Sequence, residues 1–275
     1  MVLRITVFKS TPIVKAIQAA AVVESPTVIF IWRPEGLCVQ SMLADKLDPG
    51  DNLSTLLRLE AQTFSSYEST DQYFSAVVER VDLEAVFLTA NDSERIEFSQ
   101  SDEDNKLNGF GYLHARFDRP VGAYKENYIS LKIYGIFSES MLRSADVSAD
   151  PSFLPLLPLA GISAPAFADA IAVMESMAEK VLIIVKEGLV FFAPVDQGLM
   201  PLMLGPKNGV IYTMKDLPNE SLELEIKLPF LNIHSASELS SVVFLSKRAE
   251  NVLVVWFKLE KTRYLLSGDI IYYWY

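Results

Sequence analysis

Few residues of this chain are suited to making or breaking bonds. Its 275 residues include one cysteine, Cys38, and two histidines, His114 and His234. Imidazole and thiolate groups are common acid–base catalysts, nucleophiles and zinc ligands, but these three lie far apart in the sequence. The chain also lacks a phosphate-binding glycine loop, a nucleophile elbow and an HExxH motif. The sequence therefore predicts a protein that is not an enzyme and that uses no cofactor and no metal.

The composition excludes several broad classes of protein. Half of the residues are hydrophobic, which excludes wholesale disorder. One cysteine cannot build a disulfide framework, so a reducing, intracellular compartment is expected. No apolar run reaches the roughly 18–20 residues that a membrane-spanning helix needs. With 24 basic and 35 acidic residues, the net charge of −11 disfavours nucleic-acid binding on whole-molecule electrostatics.

The elements that would carry a function occur twice in the chain. A Ser-x-Pro motif at 10–12 opens a helical stretch, an apolar strand follows, and Glu-Gly-Leu at 35–37 makes a turn. The same order returns with Ser-x-Pro at 163–165 and Glu-Gly-Leu at 187–189. Ser before a helix and Pro in its first turn are typical helix starts. The pattern predicts an internal duplication, although Val/Ile-rich strands that match by chance are the alternative.

Each half continues with a second predicted helix and a further strand. The helices are expected at Thr70–Val81 and Phe230–Leu239, and the strands at Val86–Thr89 and Val243–Ser246. A proline-containing connector separates the halves. The predicted division is an N-terminal domain 1–137, a connector 138–158 and a C-terminal domain 159–275.

This order of elements resembles the sliding DNA clamps of the proliferating cell nuclear antigen (PCNA) type. The supporting segments are Glu35–Met42, similar to a Gly-x-x-Leu-Gln-Ser-Met motif, with Tyr128–Ile133, Ser163–Gly188, 230–232, 239–242 and a closing strand at Arg263–Ser267. The resemblance covers the whole chain at low identity. It implies an α+β protein with the DNA-clamp fold: two similar β-rich domains, each with two short helices, in a trimeric ring.

The resemblance also implies a function and a set of partners. A sliding clamp serves as a DNA polymerase processivity factor: the ring, here expected to be a homotrimer, encircles duplex DNA during replication and repair. Its implied partners are copies of itself or related clamp subunits, DNA polymerase and other clamp-binding peptides, and a clamp loader, with no membrane. The implied location is the nucleus, or a site of viral or cytosolic DNA replication. The alternative is a clamp-fold interaction scaffold, such as a checkpoint-type heterotrimer subunit or a viral factor, with weak or no DNA encirclement.

The resemblance assigns residues to three surfaces. The partner-peptide pocket is expected to contain Met42, Leu47, Leu142, Val147, Phe153, Leu265 and Ser267. The subunit interface is expected to pair two edge strands carrying Tyr128, Leu131 and Ile133 on one and Leu199, Met200, Leu202 and Leu204 on the other. The DNA-facing cations are expected to be Lys9, Lys15, Arg80, Lys180 and Lys227.

Two features depart from the clamp pattern. Over 9–24, 70–81, 165–180 and 230–239, four basic residues (Lys9, Lys15, Arg80, Lys180) face seven acidic ones (Glu24, Asp71, Glu79, Asp169, Glu175, Glu179, Glu238). Weak DNA contact is therefore predicted. Pro201 falls inside the expected interface strand, where it would remove a ladder donor. The apolar segment 270–275 is either a peptide-like tail that docks on a clamp pocket or additional strand packed on the sheet.

Overall fold

The structure is a computed structural model. It describes residues 3–8, 10–21, 25–43, 53–69, 74–90, 95–100, 111–118, 128–133, 158–186, 189–195, 201–213, 222–227, 231–248, 252–259 and 266–274. All structural statements below concern these residues. The helices within them are α1 Ser10–Ala20, α2 Arg80–Ala90, α3 Ala164–Glu175 and α4 Leu231–Leu239, with a 3₁₀ turn at Ala61–Thr63. None of the helices described is long and apolar enough to cross a membrane.

The described residues also contain eighteen strands. They are β1 Leu3–Phe8, β2 Thr27–Arg33, β3 Gly36–Leu43, β4 Leu53–Glu60, β5 Ser66–Ser69, β6 Phe74–Glu79, β7 Arg95–Gln100, β8 Tyr112–Asp118, β9 Tyr128–Lys132, β10 Ala160–Ser163, β11 Lys180–Lys186, β12 Leu189–Pro194, β13 Leu202–Leu204, β14 Val210–Thr213, β15 Leu222–Lys227, β16 Val242–Arg248, β17 Val252–Leu259 and β18 Gly268–Trp274.

The start of the second half shows how the sequence sets local structure. Pro165 occupies the first turn of α3, where the amide it lacks has no partner within the helix. Phe167, Ile171 and Met174 follow at helical spacing and are all buried. Ser163 precedes the helix, but its side chain makes no capping hydrogen bond. In β11 the burial alternates residue by residue, as expected for a strand with one face on the core.

The strand pairing confirms that the fold is duplicated. In the first half, β1 pairs with β5 and β7, which continues to β8 and β9, while a second unit has the order β4-β3-β2-β6. In the second half, β10 pairs with β14 and β16, which continues to β17 and β18, while the second unit has the order β13-β12-β11-β15. All of these pairs are antiparallel. Each strand of one half thus has a counterpart in the other.

One additional pairing joins the halves. β18 of the second half pairs with β4 of the first, from Gly268 opposite Leu59 to Trp274 opposite Leu53. This junction makes a continuous nine-stranded sheet. Gly268 is required where the strands meet, because its φ is +153° and an added Cβ would lie 1.8 Å from the carbonyl oxygen of Arg58.

The closing strand corrects two sequence predictions. It is Gly268–Trp274, and not Arg263–Ser267. Residues 270–274 are therefore not a peptide-like tail, because they lie between β17 and β4 and are buried. The side chains of Ile270, Tyr272 and Trp274 point into the main core, and those of Ile271 and Tyr273 pack in a second cluster on the other face of the sheet. The strand alternative is the correct one.

The second helix of the first half also differs from its prediction. The helix expected at Thr70–Val81 and the strand expected at Val86–Thr89 are in fact strand β6 followed by helix α2. Ala76 and Val78 are buried with strand alternation, whereas Leu83 and Val86 are buried with helical spacing. The apolar residues around 81–88 fit either period over a short window, so the sequence pattern was ambiguous.

The four helices form one layer on the sheets. α1 contacts α2 on one side and α4 on the other, and α4 also contacts α3, which gives the lateral order α2-α1-α4-α3. α1 packs over β3, β4 and β18, while α3 packs over β10, β12 and β16. The main core fills the space between the helices and these strands.

We expect the substitution Tyr272→Phe to destabilise this layer. Tyr272 is 2% exposed and its hydroxyl donates a hydrogen bond to the Ala19 carbonyl oxygen at 2.8 Å. Burial also raises the pKa of Tyr272, which keeps the donor protonated. Loss of the hydroxyl leaves a buried carbonyl unpaired and should lower the free energy of unfolding by about 1–3 kcal/mol. Urea unfolding measures the loss, and Tyr112→Phe, at a side chain 41% exposed, should change the midpoint little. Equal effects of the two substitutions would contradict the prediction.

Candidate subunit-joining edges and helical face

Two edge strands lack the partners that their counterparts have. β9 ends the five-stranded sheet and β13 ends the four-stranded sheet. Their counterparts in the duplication are β18 and β4, which pair with each other to join the halves. An edge strand presents unpaired backbone amides and carbonyls to any strand that can reach it. The fold therefore leaves a matching pair of strand edges unsatisfied within the described chain.

The side chains on these edges divide by face. In and after β9, Leu131 and Ile133 are buried in the chain's own core, while Ser130 and Lys132 are exposed. In β13, Leu204 is buried and Met203 is 47% exposed. The exposed members are the residues that a neighbouring chain could contact. Sequence reasoning missed them because it selected apolar residues, although strand alternation was the available signal.

The predicted interface residues therefore have unequal standing. Leu131, Ile133 and Leu204 lie on the expected edges but face the core, and Leu202 is half-buried in β13. Tyr128 begins β9, with its side chain outside the described residues, as are Leu199 and Met200. Pro201 is exposed and precedes β13, so it removes no donor from that strand. This corrects the prediction that Pro201 interrupts the interface strand.

The helical layer carries little free positive charge. The basic residues in the described helices are Lys15 and Arg80, and the acidic ones are Asp82, Glu84, Asp169, Glu175 and Glu238. The Lys15 ammonium pairs with the Glu238 carboxylate across α1 and α4, and the Arg80 guanidinium pairs with Glu84 within α2. Both helix cations are thus engaged by carboxylates of the same chain.

The other predicted DNA-facing cations do not add to this layer. Lys180 and Lys227 belong to strands β11 and β15, and not to helices, which corrects the sequence-based count for Lys180. The Lys180 ammonium lies 3.1 Å from the Glu225 carboxylate. Lys9 and the side chain of Lys227 lie outside the described residues.

A groove of about 540 Å³ between α3 and α4 shares the acidic character of the layer. Its lining side chains include no lysine or arginine; they are Ser163, Pro165, Ala168, Asp169, His234, Ser237, Glu238, Ser240 and Ser241. Within the part of the chain that the structure describes, no group of three His, Cys, Asp or Glu side chains is arranged to hold a metal ion. The groove therefore adds hydroxyls and carboxylates to the helical face.

The predicted peptide pocket is divided by the structure. β3 pairs with β4 so that Gly36 lies opposite Glu60 and Met42 lies opposite Ser54. Ser267 lies at the Glu60 end, where its carbonyl oxygen accepts a hydrogen bond from the Glu60 amide at 2.8 Å. Met42 and Ser267 are therefore at opposite ends of β3, roughly 20 Å apart at about 3.3 Å per residue. The structure does not bring them into one pocket.

The remaining pocket residues are not located. Leu47, Leu142, Val147, Phe153 and Leu265 lie outside the described residues, as does the side chain of Met42. At the Met42 end, the last strand contributes Tyr273, which lies opposite Ser54. The misplaced closing strand had assigned Ser267 to that position.

A second groove, also about 540 Å³, overlies the junction of β4 with β18. Asp269 is its central polar group. Its carboxylate lies 3.2 Å from the Arg58 guanidinium and accepts a 2.7 Å hydrogen bond from the Trp256 indole nitrogen. This network ties β4, β17 and β18 together beside Gly268. It was missed because the pairing of β4 with β18 is not visible in local sequence patterns.

These features define a class of structure: a duplicated clamp fold with one helical layer and two unpaired strand edges. The structure is similar to that of a PCNA2–PCNA3 complex from Sulfolobus tokodaii, with a TM-score of 0.68, 14% sequence identity and 98% of both chains covered. No protein-family model matches the chain, and no curated protein matches it. The chain therefore has the PCNA-type clamp fold in a divergent sequence, as the resemblance predicted.

Proposed function

We propose that the chain is one subunit of a clamp-type ring that encircles duplex DNA, serves as a polymerase processivity factor and recruits partner proteins. The observation that carries the proposal is the pair of unpaired edges, β9 and β13, whose counterparts β18 and β4 are paired within the chain. Repeating that pairing between subunits joins them by the same geometry that joins the halves. The similar Sulfolobus structure is, by its title, a complex of two different clamp subunits.

The proposal includes specific partners and a place of action. The ring would be loaded by a clamp loader and would hold DNA polymerase and other clamp-binding peptides at the end of β3 that carries Met42. Three subunits complete the ring in the expected arrangement. It would act where DNA is replicated or repaired, in the nucleus or at a site of viral or cytosolic replication.

A second candidate is a clamp-fold scaffold that does not grip DNA. The acidic helical layer favours it, because the layer's cations Lys15 and Arg80 are paired to carboxylates. Every phosphate contact that is missing weakens binding and flattens its salt dependence. Topological enclosure does not need such contacts, so the two candidates differ in whether DNA passes through the ring.

Retention on closed DNA distinguishes the two candidates. We expect the tagged chain, in extract from its own source, to remain on bead-bound circular plasmid after a salt wash. Cutting the plasmid once should release it. The substitution Met203→Asp puts a charge on the β13 edge and should abolish retention. Ile211→Asp is the matched control, because Ile211 is 60% exposed on the different edge strand β14.

The possible outcomes separate cleanly. Release on linearisation, with loss only in Met203→Asp, supports the encircling ring. Equal retention on linear and circular DNA contradicts encirclement, and no retention on either favours the scaffold.

A further inference from the structure

The two outer helices of the layer each have one open flank. α1 has helical neighbours on both sides, whereas its counterpart α3 has one. The Ser-x-Pro starts align the two helices with an offset of 153 residues, so that Ala16 corresponds to Asp169 and Ala20 to Val173. Ala16 and Ala20 are fully buried, while Asp169 is exposed and Val173 is 41% exposed. The open side of α3 is therefore the side that α1 packs against α4.

α2 shows the same relation to α4. α4 lies between α1 and α3, whereas α2 contacts only α1. The buried pairs Leu83 with Val86 and Ile233 with Ala236 align these helices with an offset of 150. Asp82 of α2 then corresponds to Asn232 of α4. Neutral residues stand in the internal contact where aspartates stand on the open flanks.

The helices of the internal contact run in opposite directions. The C-terminal end of α1 lies over the middle of β18, where Tyr272 bonds to the Ala19 carbonyl. The end of α4 lies near the start of β18, because the Ser240 hydroxyl bonds to the carbonyl of Lys258, which pairs with Asp269. Lys15, in the first half of α1, accordingly meets the last turn of α4. An antiparallel copy of this contact would place α3 of one subunit along α2 of the next.

Such a contact between two copies of this chain would set like charges together. Asp169 would lie on one side of the junction and Asp82 of the next copy on the other. Among the described residues, no ion pair neutralises either carboxylate. Like charges across a junction oppose association and select against the wrong partner. The apolar surface there, from Val173 and Val81, suits any subunit of the same fold.

We infer that the open flanks of α2 and α3 fit a distinct clamp-fold subunit that presents lysine or arginine to Asp82 and Asp169, rather than a second copy of this chain. The inference rests on the ring of the proposed function and names its partner. Charge complementarity would then replace the neutral packing used inside the chain. The chain alone would be monomeric.

A four-member charge cycle tests the inference without the natural partner. In Asp82→Lys the basic α2 flank meets the acidic α3 flank of another copy, and in Asp169→Lys the opposite holds. We expect each single variant to self-associate at least about tenfold more tightly than wild type, in sedimentation velocity at low salt. The double variant, with lysine on both flanks, should be as weak as wild type. An equimolar mixture of wild type and double variant should associate.

Controls separate this effect from total charge and from folding. Glu68→Lys changes the net charge as much as Asp82→Lys, at an exposed position on β5, and should leave the chain monomeric. Circular dichroism confirms that each variant is folded. A wild-type trimer as tight as the single variants would overturn the inference and leave the ring intact. Four monomeric variants and no mixed association would also overturn it, while retention on circular plasmid judges the ring separately.

Discussion

A chain that ends at Ser267 is expected not to fold. The deletion removes β18, which pairs with β17 on one side and with β4 on the other along its whole length. It removes Tyr272 and Trp274, among the largest fully buried side chains, and exposes two strand edges in the middle of the nine-stranded sheet. Exposed interior edges favour aggregation. We expect insoluble protein on expression and loss of the near-ultraviolet circular dichroism signal in any soluble fraction.

A point substitution measures the same dependence on a folded protein. Trp274→Ala should lower the free energy of unfolding by about 3–5 kcal/mol, because the indole is 2% exposed and stacks on Tyr272. The matched control is Tyr112→Ala, at an aromatic side chain that is 41% exposed, and it should cost much less. A soluble, cooperatively unfolding truncated chain would contradict the placement of the last strand.

Reversal of two carboxylates on the helical layer should convert weak DNA binding into strong binding. Glu84→Lys and Glu238→Lys together add two cations and release Arg80 and Lys15 from their ion pairs. We expect affinity for linear duplex DNA to rise at least about tenfold at low salt. The slope of log affinity against log salt should steepen by about 0.9 for each new phosphate contact.

Fluorescence anisotropy with a labelled duplex over a salt series measures this change. The control is Glu35→Lys with Glu68→Lys, which alters the net charge equally at exposed positions off the helical layer. If both double variants gain equally, total charge explains the effect and the layer is not the DNA-facing surface. A gain confined to the helix variant supports a duplex running along α1–α4.

The duplication and the clamp fold were predictable because their signals are local and repeated. The Ser-x-Pro and Glu-Gly-Leu motifs recur at nearly constant spacing, and the observed β1–β9 and β10–β18 units match strand for strand. The two edge strands were also placed correctly by resemblance. Which of their residues are exposed required only strand alternation, as Ser130 and Met203 show.

The errors arose where the sequence supports two registers. The apolar residues of 81–88 fit a strand or a helix over one or two turns, and only packing against β6 and β8 decides. The segments 263–267 and 270–274 are both apolar enough to close the sheet. Their choice depends on pairing with β4, more than 200 residues away, which no local pattern records. The error at the second segment also displaced the predicted pocket residue Ser267.

The pairing of β4 with β18 has a consequence for how a ring of these chains would respond to dilution. Inside one chain, both strands are held on the same polypeptide, so their effective concentration is fixed whatever the protein concentration. The matching contact of β9 with β13 has no such tether and dissociates as the protein is diluted. Opening and closing would therefore be confined to the junctions between chains. Gene duplication, by fusing two halves, would have removed every second opening point.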